Sequence, residues 1–158
     1  MQDVPHISAI ANLVHATLPE RSAVFADKIK LAPQTCFVLQ ADGATVGYAL
    51  AHPWTLHQIP LLDSFLGELP PHADSLYVHD VVVLPEYRGK RAVASLIEII
   101  SAWARARGIR FLALVSVYHT QAMWKRFKFC AADGNVALAA KLQSYGDTAR
   151  YMIRDLEA

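Results

Sequence analysis

One segment constrains the fold of this chain more than any other. An apolar, β-branched run, Val81-Val82-Val83-Leu84, stops at Pro85. Glu86-Tyr87-Arg88-Gly89-Lys90-Arg91 follows as a short basic loop with one glycine, and a long helical pattern opens at Ala92. A strand that feeds a helix through such a loop leaves backbone N–H groups free at the positive end of the helix, which suits an anionic phosphate. The placement suggests a ligand that carries a pyrophosphate. Taken alone, the loop reads as readily as a solvated basic turn, because short motifs recur by chance.

The flanking pattern extends this unit. A helix is expected from Lys90 or Arg91 to Arg107, with Ala92, Leu96, Ile99, Ile100 and Trp103 on its buried side and Gly108 as its C-cap. Residues 111–117 read as a buried strand, so residues 76–117 form a βαβ unit with parallel strands. Upstream, Asp3 before Val4-Pro5 reads as the N-cap of a helix carrying Ile7, Ile10, Val14 and Leu18 and ending near Pro19. Residues 21–31 form a second short helix closed by Pro33. Strands at 36–40 and 45–51 flank the turn signal Ala41-Asp42-Gly43 as a hairpin. Residues 53–71 hold four prolines and read as a long loop with one helical turn near 61–66; such a loop is often functional. Thr120 is placed to cap a short helix through Phe127. Residues 136–142 and 150–156 read as a closing pair of strands.

Size and charge narrow the function classes. The 158 residues suit one domain spanning 1–158, and with 54% hydrophobic and 18% charged residues the chain can bury a core. No apolar run reaches the roughly 18 residues that span a membrane, and no secretory signal opens the chain, so a cytoplasmic protein without membrane contact is expected. A net charge of +1 without a basic run argues against nucleic acid as a partner. Cys36 and Cys130 sit in apolar segments outside any C-x-x-C pair and are expected to be buried free thiols. The histidines His52, His57 and His72 have spacings unlike a ligand motif, so no metal site is expected; they line an acceptor pocket or belong to a solvated loop.

The order helix–helix–hairpin–strand–loop–helix–strand–helix–strands resembles the GNAT superfamily of acyl-CoA-dependent N-acetyltransferases over nearly the whole chain. The family loop, Arg/Gln-x-x-Gly-x-Gly/Ala, aligns with Arg88-Gly89-Lys90-Arg91-Ala92-Val93. Arg88 fits, Arg91 replaces the first glycine and Val93 stands at the Gly/Ala position. A second family segment, Phe-Trp/Tyr-x-x-x-Gly-Phe, aligns with Met123-Trp124-Lys125-Arg126-Phe127-Lys128-Phe129, with Lys128 in place of glycine. Three further stretches resemble one bacterial branch: Ala149-Arg150-Tyr151-Met152-Ile153, Asp27-Lys28-Ile29-Lys30-Leu31-Ala32-Pro33, and Gly47-Tyr48-Ala49-Leu50-Ala51-His52-Pro53-Trp54.

The resemblance implies an α/β (α+β) fold with a mixed, mostly antiparallel central sheet flanked by helices. It implies acetyl-CoA as co-substrate. The backbone of Val81, Val82 and Val83 would meet the pantetheine arm, and N–H groups from Gly89, Lys90, Arg91, Ala92, Val93 and Ala94 would hold the pyrophosphate beside Arg88. Trp124 stands at the family's general-acid tyrosine; an indole cannot give up that proton at neutral pH, so it would pack against the acyl-CoA arm or the core. The thiolate proton would then come from Tyr118, His119 or water. By strand alternation Tyr77, His79 and Val81 share one face and Val78 and Asp80 the other. His79 is the base candidate, since histidine ordinarily titrates near neutrality; the competing role is a hydrogen-bonded sheet histidine. Asp80 would recognise an ammonium, act as a base, or tie down a loop. Tyr145 is placed to close the acceptor pocket. The implied activity is acetyl transfer to a primary amine of a small molecule or peptide by direct attack, in a monomer or homodimer. The competing reading is a catalytically weak or inactive acyl-CoA-binding module, which Arg91, Val93, Trp124 and Lys128 favour.

Overall fold

The computed structural model describes residues 1–89, 91–132 and 136–157. Among the described residues, five α-helices and six strands follow one another. They are α1 (Val4–Val14), α2 (Ser22–Leu31), β1 (Cys36–Ala41), β2 (Ala44–Trp54), β3 (Ser75–Val83), α3 (Ala92–Arg105), β4 (Phe111–Ser116), α4 (Gln121–Lys125), β5 (Cys130–Ala131), α5 (Val136–Gln143) and β6 (Arg150–Asp155). The strands form one sheet in the order β1-β2-β3-β4-β6-β5. Among the described strands only β3 and β4 run parallel; the other pairs are antiparallel. The expected mixed, mostly antiparallel sheet with a βαβ core is therefore observed.

Helices cover both faces. On one, Ile7, Ile10 and Ala11 of α1 and Phe25 of α2 pack on Tyr48, Leu50 and Val82. On the other, Ile97, Ile100 and Ala104 of α3 pack with Trp124 and Phe129 on Leu76, Val78, Leu112 and Leu114. Of the expected stripe of α3, Ile100 is buried and Leu96 and Trp103 pack partly buried against this core, but Ile99 is 52% exposed, and Ile97, Ser101 and Ala104 complete the inward face. The apolar residues of α3 cover more than one side of the helix, so spacing alone does not select the side that packs inward.

Two features of β3 shape the site. Its parallel pairing with β4 covers only Ser75↔Phe111 to Val78↔Leu114, yet β3 runs on to Val83. Beyond Val78 the two strands part, and the β4-facing backbone of β3 loses its ladder partner. On the opposite edge β3 stays paired with β2 to Gly47↔Val83, but the register jumps from Leu50↔Asp80 to Ala51↔Val78. His79 is the extra residue of this bulge, and a bulge breaks strict alternation. The expected facing is accordingly corrected: Asp80 joins Tyr77 and His79 on the α1–α2 face, where it meets Tyr48 and His15, while Val81 packs with Val78 against the α3 side. Gly47 is required where β2 crosses this region, since a Cβ there would lie 2.6 Å from the Val82 carbonyl oxygen.

Other expectations shift locally. Residues 136–142 are not a strand but part of α5: its alanines favour a helix, and Leu138 and Leu142 fall four residues apart against Tyr77, Ala113 and Tyr151. The partners of β6 are β4 and the two-residue β5. The first helix stops at Val14, where the His15 N–H closes the last turn on the Ala11 carbonyl and His15 leaves helical geometry; residues 15–21 are a loop, in which Pro19 bars helical geometry for Leu18. No helix forms at 61–66, and neither Asp3 nor Thr120 makes a side-chain capping bond. Cys36 and Cys130 are free, but Cys130 is exposed.

Candidate active site

The parting of β3 from β4 opens a cleft of about 780 Å³ that runs from the start of α3 to the loop after α1. At the α3 end, Gly89 and Arg91 both adopt left-handed backbone, with φ of 79° and 62°. This turn lets the chain reverse into α3, whose first N–H groups, from Ala92, Val93 and Ala94, border the cleft. Left-handed geometry costs a residue with a Cβ about 1–2 kcal/mol, so Arg91 holds the conformation of the glycine it replaces at an energetic expense. The Arg88 guanidinium is anchored by Nε donating to the Val83 carbonyl at 2.9 Å. Val81, Val82 and Val83 line the same cleft with the edge that β4 has left. A backbone edge followed by a basic, N–H-rich helix start is a donor set that fits an extended ligand ending in phosphates. Lys90 lies outside the described residues.

Trp124 is 7% exposed and forms part of the cleft wall while packing edge-on against Phe129. Tyr118 lines the cleft, whereas His119 is exposed and not among its lining residues.

Two histidine–carboxylate pairs border the cleft on the α1–α2 face. His79, 2% exposed at its side chain, donates from Nε2 to Glu20 Oε1 at 2.8 Å. That bond assigns the proton of the neutral ring to Nε2 and leaves the lone pair on Nδ1, which is buried and has no partner among the described residues. Glu20 also accepts the Asp63 N–H at 3.2 Å and faces the fully buried Lys28 at 3.6 Å. Burial opposes the Glu20 charge, but the His79 bond and charge and the Lys28 charge outweigh it and pull its carboxyl down to about 2. Burial likewise pulls Lys28 below the ordinary lysine range despite Glu20 and Asp27.

The second pair joins His15, just past the end of α1, to Asp80. His15 donates from Nε2 to Asp80 Oδ1 at 3.0 Å, and the Tyr48 hydroxyl donates to Oδ2 at 2.5 Å. Both Asp80 oxygens are therefore engaged. Burial works against the His15 imidazolium, yet its bond to Asp80 and the Asp80 and Glu20 charges raise its pKa above the ordinary value. The Tyr118 ring stacks on His15 at 5.6 Å, with its hydroxyl 3.4 Å from Nδ1 and 3.3 Å from Thr17 Oγ1.

The sequence-derived candidates His79, Asp80 and Tyr118 thus meet in one cleft with Val81–Val83, Arg88, Gly89, Arg91–Ala94 and Trp124. Tyr145 also borders it. His57 and His72 are exposed, and His52 is fully buried against Tyr77, where burial depresses its pKa to about 3. His15, Glu20, Lys28 and Tyr48 were not anticipated. His15 and Glu20 belong to the segment between two short helices, where no periodicity marks which residue turns inward, and Lys28 and Tyr48 are polar residues within α2 and β2.

A parted sheet with a phosphate-type cradle at one end and histidine–carboxylate pairs at the other defines an α/β protein that sets an extended anionic ligand against proton-handling groups. A model of the acetyltransferase (GNAT) family matches residues 7–129, and the chain belongs to that family. No curated protein matches the sequence. Among solved structures, the chain is similar to Ard1 from Thermoplasma volcanium, at 14% identity with TM-score 0.72, covering 98% of this chain and 91% of that one. It is similar to the GNAT-like decarboxylase GphF solved with isobutyryl-CoA, at 18% identity with TM-score 0.72, covering 98% and 95%. Arabidopsis thaliana Naa50, solved with the bisubstrate analogue CoA-Ac-MVNAL, gives 13% identity and TM-score 0.66, covering 96% and 91%. At these identities the likeness is one of fold.

Proposed function

We propose that the chain, acting as one domain, transfers an acetyl group from acetyl-CoA to a primary amine of a small molecule or peptide, by direct attack in a ternary complex. The observation that carries this reading is the Glu20–His79 pair. It sits where β3 parts from β4, on a residue that lines the cleft, and it leaves a buried imidazole nitrogen with no partner among the described residues. The family membership and the CoA ligands of similar folds support the donor.

Acetyl-CoA, when bound, supplies an activated thioester. The β3 edge at Val81–Val83 would hold its arm, and Gly89, Arg88 and the N–H groups of Ala92, Val93 and Ala94 would hold its phosphates. His79 would accept the proton of the attacking amine at Nδ1, and Glu20 would fix the ring and stabilise the imidazolium that results. As the new N–C bond forms, the C–S bond breaks and the thiolate takes a proton. Tyr118 is the side-chain donor we assign to it, with Trp124 packing the arm. We assign Asp80 to orienting His15 and Tyr48, each of which donates to one of its oxygens, and His79 to the base.

Thiol release and amide product, measured over a panel of primary amines, test the proposal. Turnover with any amine, reduced on the order of 100-fold or more by His79→Ala, is expected. The left-handed Arg91 at the family glycine favours a second reading, an acyl-CoA-binding module with little chemistry; saturable acetyl-CoA binding without turnover of any amine would establish it instead.

A further inference from the structure

Charges are segregated along the cleft. The described arginines in its lining, Arg88, Arg91 and Arg126, belong to the loop before α3 or to the end of α4. At the opposite end the described lining holds the carboxylates Glu20 and Asp80 and neither lysine nor arginine. The cations nearest that end are already held. Lys28 is fully buried between Glu20 at 3.6 Å and the Ser64 carbonyl at 3.3 Å. Arg21 is turned onto Asp63, donating from Nε to the carboxylate and from Nη2 to the backbone carbonyl, each at 2.8 Å. His15 donates to Asp80. The rest of the lining away from the arginines includes the apolar side chains Val14, Leu18 and Leu62 and the Tyr145 ring, whose hydroxyl donates to the Pro60 carbonyl.

We propose that the acceptor is an amine with an apolar body and no carboxylate on the carbon that bears the nitrogen. An alkyl or arylalkyl monoamine meets this description, as does an amino acid or peptide terminus whose carboxyl is masked as an amide; a free amino acid does not. This inference rests on the acetyl-transfer reading. Glu20 and Asp80 draw an ammonium toward His79, and the apolar wall covers the body. A carboxylate beside the nitrogen would arrive next to two anions with every nearby cation engaged. It would lose hydration without gaining a partner and would meet like charge.

The test compares phenethylamine, phenylalanine amide and phenylalanine as acceptors with the full chain and acetyl-CoA. These share one apolar body and differ in the group beside the nitrogen. The expected result is turnover of the first two, with kcat/KM for phenylalanine lower by roughly tenfold to a hundredfold. Leu62→Arg, which adds a free cation to this wall, is expected to narrow that gap. Phenylalanine used within about twofold of phenethylamine, or a gap that Leu62→Arg widens, overturns the proposal. If none of the three releases thiol, the wider amine panel decides the acetyl-transfer reading, and binding to the CoA-saturated protein by ligand-observed NMR decides the acceptor class. Phenethylamine bound with phenylalanine excluded supports it; equal binding of the two, or binding of neither, overturns it.

Discussion

Glu20→Gln is the most instructive perturbation of this protein, because Glu20 holds the base candidate and a buried lysine at once. The wild-type carboxyl titrates near 2 against an ordinary 4.5. At about 1.4 kcal/mol per pH unit, that difference corresponds to roughly 3 kcal/mol of stability at neutral pH. The sign follows from the depressed folded value: the contribution is complete above the unfolded pKa and is lost as pH falls through 4.5 toward 2. About 1.4 kcal/mol of it disappears between pH 7 and pH 3.5. Glutamine keeps the shape but leaves the Lys28 ammonium, with none of its side chain exposed, opposite a neutral amide. Urea unfolding of wild type and Glu20→Gln at pH 7 should therefore differ by about 3 kcal/mol, and the gap should shrink at pH 3.5. Adding Lys28→Met to Glu20→Gln removes the orphaned cation and should recover much of the loss. Equal stability of Glu20→Gln and wild type at pH 7, or a gap that does not change with pH, would refute the buried-pair reasoning.

Further outcomes follow from other residues. Gly47→Ala drives a Cβ to 2.6 Å from the Val82 carbonyl oxygen and should destabilise the β2–β3 pair by about 2 kcal/mol or more in thermal unfolding; an unchanged midpoint contradicts the close approach. Arg91→Gly frees a left-handed residue and should add about 1 kcal/mol of stability, with acetyl-CoA binding no weaker in calorimetry; a destabilised variant contradicts the strain. Asp80→Asn removes the charge that raises the His15 pKa, so the His15 ring should titrate lower by NMR. Burial pushes the Cys36 thiol up to about 11 while Cys130 is exposed, so a thiol reagent at pH 8 should modify Cys130 first, and fast loss of Cys36 would count against that burial.

Much of this fold could be read from the sequence, because its elements carry local signals. The Val81–Ala92 strand–loop–helix, the hairpin at Ala41-Asp42-Gly43 and the parallel β3–β4 pair each follow from periodicity or turn chemistry. Helix α5 is hard to read from the sequence because six of its eight residues are apolar and show no clear period; its alanines favour a helix, and packing of Leu138 and Leu142 fixes it. The site was legible where a motif carried it, at Arg88–Ala94, and where a polar residue interrupts an apolar strand, at His79 and Asp80. Their arrangement was not legible. One bulged residue turns Asp80 to the face of His79, and strict alternation separates them. His15 and Glu20 reach the cleft because α1 ends at Val14 and both lie in the seven residues between it and α2; Lys28 meets Glu20 from α2 behind them. That is a tertiary consequence of where a helix stops.

The central claim is that His79, held by Glu20, takes the proton of an amine attacking acetyl-CoA. The most direct test is mass-spectrometric detection of acetylated phenethylamine formed by wild type and by His79→Ala at matched acetyl-CoA occupancy. The account predicts product with wild type and a loss on the order of 100-fold with the variant. Equal product from both would contradict it.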